Sequence, residues 1–170
     1  MRRLFLLRHG KAEPFGGDRA DFDRELAPRG RTASEAIGRY LSESDLLPDR
    51  VLCSTSARTR ETLALVLSGL QNDPAIIFEN NLYEASTEMF MSQIKQLGET
   101  AQNLLVVGHN PTTEDTLNLL CSGDPDSIPG AFPTCALAVI DCGISSWREL
   151  AIGVGVLAAF VRPRDLTFEA

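Results

Sequence analysis

Three short stretches of the chain gather residue types that handle oxyanions. Arg8-His9-Gly10 follows the apolar run Leu4–Leu7. Ser54-Thr55-Ser56-Ala57-Arg58-Thr59 follows Arg50–Cys53, and Gly108-His109-Asn110-Pro111 follows Asn103–Val107. Arginine pairs bidentately with phosphate oxygens and keeps its charge throughout the physiological range. A neutral imidazole keeps a lone pair on one ring nitrogen and can attack phosphorus. His9 and His109 are the two histidines of the chain, and each has a glycine beside it that lets backbone approach a ligand closely. If His9 attacks in line, negative charge stays on three equatorial oxygens, where Arg8, Arg58 and His109 would stabilise it. Such a centre requires no metal and no cofactor, and none is expected here.

The elements that must bring these residues together are legible in the apolar pattern. Leu4–Leu7, Arg50–Cys53, Ile76–Phe78, Asn103–Val107, Cys135–Asp141 and Val156–Val161 read as short strands. Between the early strands lie helical stripes over Arg29–Leu41, Thr59–Leu70 and Thr87–Leu97, with Gly98 as a plausible C-cap. A Thr-x-x-Asp start at Thr112–Asp115 opens a fourth helix to about Cys121, and Ser122–Pro133 is a loop. Strands alternating with helices imply an α/β fold with a mostly parallel central sheet and helices on both faces, in one domain over residues 1–170. Ligands of such sheets bind beyond the carboxyl ends of the strands, where all three stretches fall.

Composition narrows the classes. The chain has 170 residues, with 16 Lys+Arg against 23 Asp+Glu and a formal charge of −7. An acidic surface argues against nucleic acid or anionic membrane as partner. The longest apolar stretch, Val154–Val161, is far shorter than the ~20 residues of a spanning helix. The N-terminal apolar core is too short for a secretory segment, so a cytoplasmic location is expected. Cys53, Cys121, Cys135 and Cys142 contain no C-x-x-C pair, and neither a zinc site nor a disulfide framework is expected. Gly10-Lys11 lacks the earlier glycine of a phosphate-binding P-loop. Gly153-Val154-Gly155 fits a turn or bulge better than a dinucleotide site. Trp147, beside Arg148, reads as a surface-turn anchor.

Taken in order, Leu6-Leu7-Arg8-His9-Gly10-Lys11-Ala12, Ser54–Thr62 and Val107–Pro111 resemble the three motifs of the histidine phosphatase superfamily. Asp21–Gly30, Leu82-Tyr83-Glu84-Ala85 and Phe160–Pro163 look like its SixA-type phosphohistidine phosphatase branch. The resemblance implies a phosphoglycerate-mutase-like three-layer sandwich. It also implies that His9 is the phosphorylated nucleophile and that Arg8, Arg58 and His109 hold the phosphoryl group. Arg24 would be a further phosphate or substrate contact. Other branches place a carboxylate to protonate the leaving oxygen, and the candidates here are Glu84, Asp18 and Asp21. An imidazole leaving phosphohistidine needs far less protonic help than an alkoxide, its conjugate acid having a pKa of ~6.5. The expected activity is therefore a metal-independent phosphatase acting on phosphohistidine in a partner protein. The alternatives are a small-molecule phosphomonoesterase or mutase on the same scaffold, or an inactive phosphate-binding module.

Overall fold

The computed structural model describes residues 1–167, so the last three of the expected 1–170 domain lie outside the described residues. Six strands form one sheet: β1 (Arg2–Arg8), β2 (Arg50–Ser54), β3 (Ala75–Glu79), β4 (Asn103–Gly108), β5 (Leu137–Cys142) and β6 (Gly155–Val161). Their order is β3-β2-β4-β1-β5-β6. Pairings β2–β3, β2–β4 and β1–β4 are parallel, while β5 runs antiparallel to both β1 and β6. The sheet is mostly parallel, as the alternation implies, with β5 as the reversed strand.

Four α-helices cover the sheet: α1 (Pro28–Glu43), α2 (Ala57–Ser68), α3 (Thr87–Leu97) and α4 (Thr112–Leu120). On one face Ile37 and Leu41 of α1 and Leu63 and Val66 of α2 pack against Phe5, Leu7, Leu105 and Val107. On the other, Phe90 and Ile94 of α3 and Leu117 and Leu120 of α4 pack against Leu4, Leu6, Leu104 and Val106. Successive residues of β1 and β4 therefore alternate between two cores. That is why these strands are continuous apolar runs and not alternating ones. The molecule is the expected sandwich of helix, sheet and helix layers.

Several boundaries and environments differ from the expectations. Helix α2 opens two residues early, because the Ser56 hydroxyl accepts from the Thr59 amide and caps it. This moves Arg58 into the first turn. Thr112 does not cap α4; Pro111 holds that position, and the Thr112 hydroxyl donates to the Ala85 carbonyl instead. Strand β5 starts at Leu137, since Cys135 adopts a left-handed φ of 60° and donates its amide to the His9 carbonyl (2.9 Å). Trp147 is no surface anchor. Its ring is fully buried in the core beneath α3 and α4, and its indole N–H donates to the Ala101 carbonyl at 2.8 Å. Gly153 takes φ 79° in the turn before β6, which fits the turn reading of that glycine pair. All four cysteines are buried free thiols, and burial pushes Cys53 up to about 12.

Candidate active site

The register of the sheet explains how residues a hundred positions apart meet. Arg8 is the register partner of Gly108 in the parallel β1–β4 pair, so His9 and His109 leave neighbouring strands side by side. Parallel strands lie about 4.8 Å apart, and the two imidazole centroids are 5.3 Å apart. The His9 amide donates to the Gly108 carbonyl at 3.1 Å, which ties the two loops together. On the other side of β4 lies β2, whose end feeds the first turn of α2 and carries Arg58 in from that flank. A close approach of backbones fixes the loop after β1. A Cβ on Gly30 would collide with the Lys11 carbonyl, and one on Gly10 would meet the Gly30 carbonyl at 2.8 Å.

Hydrogen bonds set the state of each ring. His9 Nδ1 lies 2.7 Å from the Gly10 carbonyl, which can only accept, so the proton sits on Nδ1 and the lone pair on Nε2. Arg58 Nε donates toward that Nε2 at 3.3 Å. Arg58 Nη2 donates toward His109 Nδ1 at 3.4 Å, and His109 Nε2 then donates to the Ser54 hydroxyl at 2.8 Å. Burial, helped by Arg58 and Arg8, lowers His9 to about 4. Burial first, then His9 and Arg58, lowers His109 to about 3. Both rings are therefore neutral near pH 7 before an anion arrives. Arg8 donates Nη1 to the Phe132 carbonyl at 2.9 Å, while its Nε is buried without a protein partner.

Asp21 stands across the pocket, in a short 3-10 turn over Asp21–Asp23. Its carboxylate accepts from the Tyr83 hydroxyl (2.7 Å), from Arg24 Nη1 (2.8 Å) and from Arg58 Nη2 (3.1 Å). The Asp21 carbonyl takes Arg58 Nη1 at 2.8 Å. The Tyr83 bond first, then Arg24, holds the Asp21 carboxyl far below the usual carboxylate range. As a candidate proton donor Asp21 is thus corrected: it is ionised at any working pH and serves as a clamp on two arginines. Tyr83 also lays its ring edge toward His109, with centroids 5.4 Å apart, and desolvation pushes its phenol up to about 12.

The structure brings together Arg8, His9, Arg58 and His109, and joins Arg24 to them through Asp21. It does not bring Glu84 or Asp18 into that network. Both are exposed, and Glu84 sits in a left-handed turn (φ 53°) just past Tyr83 with no hydrogen bond or ion pair among the described residues. Ser54 and Tyr83 were missed in the sequence. Ser54 opens the second motif and ends β2, and its role as partner of His109 was the part not read. Tyr83 carried no signal beyond its place next to Glu84.

The chain matches the model of the histidine phosphatase superfamily (branch 1) over residues 4–96, a span that holds Arg8, His9, Arg24 and Arg58 but ends before His109. An uncharacterized protein of Mycobacterium tuberculosis is 35% identical over 164 residues, covering 93% of this chain and all of that protein. A structure from Agrobacterium tumefaciens, described as a candidate phosphohistidine phosphatase SixA, is 33% identical. It superposes with a TM-score of 0.82 over 95% of this chain and 98% of that one. A similarly described structure from Nakamurella multipartitia is 31% identical, with a TM-score of 0.81 over 95% and 96%. A pair of imidazoles, His9 buried and His109 half-buried, braced by arginines on this sheet and with these relatives, places the chain in the histidine phosphatase superfamily, within its SixA-type branch.

Proposed function

We propose that the protein removes the phosphoryl group from phosphohistidine in a partner protein, through a phosphohistidine intermediate at His9. Within a family of phosphatases, one observation supports this P–N specificity. Asp21 is locked as an anion, Glu84 is exposed, and Glu114, whose charge acts on Arg8, is engaged by the Asn110 side-chain amide and the Phe132 N–H, so none of these three carboxylates is set to protonate a leaving group. Alkoxide departure needs such a proton from the enzyme, whereas a phosphorylated imidazole can carry its own on the distal ring nitrogen, whose pKa is ~6.5.

The steps follow from the geometry. His9 Nε2, deprotonated because Nδ1–H is held by the Gly10 carbonyl, attacks phosphorus. The substrate ring enters protonated on its distal nitrogen, so the P–N bond breaks with its electron pair on the departing nitrogen and a neutral imidazole leaves. The free Nε of Arg8, the Arg58 guanidinium and His109 face the equatorial oxygens and stabilise their charge. The dianion itself favours protonation of His109, opposing the burial that keeps it neutral. Water then attacks phosphorus, the bond to His9 Nε2 breaks, and dihydrogen phosphate carries away both protons of the water.

The test is a trap. Wild type incubated with a phosphohistidine peptide and quenched should hold an acid-labile, alkali-stable phosphoryl group, and His9→Ala should hold none. A label that persists in His9→Ala overturns the role of His9. Faster turnover of a simple alkyl phosphate than of the phosphohistidine peptide overturns the P–N preference and favours the phosphomonoesterase alternative.

A further inference from the structure

The carboxyl end of the sheet carries a second opening beside the catalytic pocket. Strand β6 runs parallel to β1, so the Arg162-Pro163-Arg164 segment emerges at the same end as His9. Pro133 and Thr134, just before the reversed strand β5, lie there too. Between these segments and the first turn of α1 is a cleft of about 570 Å³. Lys11, Arg29, Arg162 and Arg164 line it, with Thr32 and Thr134 and a floor of alanine, proline and leucine side chains.

Two features set this cleft apart. Among the described residues no acid lines it, although acids outnumber bases 23 to 16 in the chain. Asp165 lies next to it and pairs with Arg162 (2.6 Å) and more distantly with Arg164 (3.9 Å), while Lys11 and Arg29 have no acid partner among the described residues. The amino end of the 16-residue helix α1 adds its dipole to the positive field. The cleft is also joined to the catalytic residues through the backbone. Lys11 is two residues past His9, and Thr134 precedes the amide that donates to the His9 carbonyl.

We infer that this cleft docks an acidic segment of the phosphorylated protein while the phosphorylated residue sits at His9. The inference rests on the protein-substrate reading and deepens it. Charge complementarity selects an acidic chain, and the apolar floor accommodates the aliphatic stems and small side chains between its carboxylates. An anionic bilayer is a poor occupant, since the molecule as a whole carries −7 and the opening is concave.

The experiment uses the whole chain and two fluorescent peptides, one rich in Asp and Glu and one with Asn and Gln in their place, neither phosphorylated. At low salt the acidic peptide should bind wild type about tenfold more tightly than the amide peptide, as expected for two or three partly exposed ion pairs. Arg29→Glu/Arg164→Glu should abolish that preference. Lys95→Glu/Arg148→Glu, which makes the same change in net charge on the other side of the sheet, should keep it. Equal binding of the two peptides by wild type, or an unchanged preference in the first variant, overturns the inference. Turnover of phosphoramidate, too small to reach the cleft, reports separately on the catalytic reading and should be equal in wild type and both variants.

Discussion

Replacing Arg58 by methionine is the sharpest perturbation of the catalytic reading. Arg58 is the hub of the pocket: Nε points to His9, Nη2 to His109 and Asp21, and Nη1 to the Asp21 carbonyl, with the side chain 8% exposed. Methionine keeps the length of the stem and removes the charge and the donors. A fixed donor aimed at developing charge in a water-poor site is worth roughly 10²–10³ in kcat, and that is the loss expected. The pH profile gives an independent sign. Arg58 is one of the charges that depress His9, at about 4, and His109, at about 3. Its removal raises both, so the acid limb of kcat/KM should move up. Burial, the larger cause, remains, so the limb should stay below the ordinary 6.5. The assay is phosphoramidate hydrolysis from pH 3 to 8, with folding checked by circular dichroism. Arg60→Met is the control: Arg60 lies in the same helix but stacks 4.4 Å from the Phe78 ring, and its loss should leave turnover intact. A kcat reduced less than threefold in Arg58→Met, or an acid limb that moves down, refutes the reasoning.

Three other variants probe the scaffold. Asp21→Asn should cost about 1 kcal/mol of stability at pH 7, a modest figure because the carboxylate is 37% exposed. Since folding depresses the Asp21 pKa, its contribution is present in full above the unfolded value near 3.8 and is lost as pH falls from there through the far lower folded value, so the gap between the urea midpoints of variant and wild type should be constant above about pH 5 and shrink steadily below about pH 4. Trp147→Phe should cost about 1–2 kcal/mol in urea denaturation, from lost volume and the indole bond. The cost stays moderate because Arg2 Nη1 also donates to the Ala101 carbonyl, at 2.9 Å. Gly30→Ala forces a methyl group against the Lys11 carbonyl, so the loop that carries His9 must shift. Turnover should drop by at least tenfold, and an unchanged kcat would show that the loop tolerates the displacement.

Much of this was legible because fully buried parallel strands leave an unambiguous trace. Leu4–Leu7 and Asn103–Val107 could be nothing but interior, and their ends pointed to Arg8, His9 and His109. Helix α3 matches its apolar stripe at both ends. Trp147 was misjudged because an arginine neighbour suggests exposure, while burial depends on which helices arrive above it. Asp21 was misjudged for a related reason. A carboxylate near a phosphate site can be a proton donor or a fixed anion, and only its three partners, drawn from α2, the Arg24 segment and the Tyr83 turn, decide which.

Residue types and their order thus determined the family, the α/β class and the four groups able to act on a phosphoryl group, since these depend on local pattern and on the chemistry of single side chains. Strand order, the reversal of β5, the protonation state of each imidazole and the clamp on Arg58 were decided by tertiary structure. Each arises from contacts between segments tens of residues apart, and burial and hydrogen bonding there set charges that no isolated stretch of chain possesses.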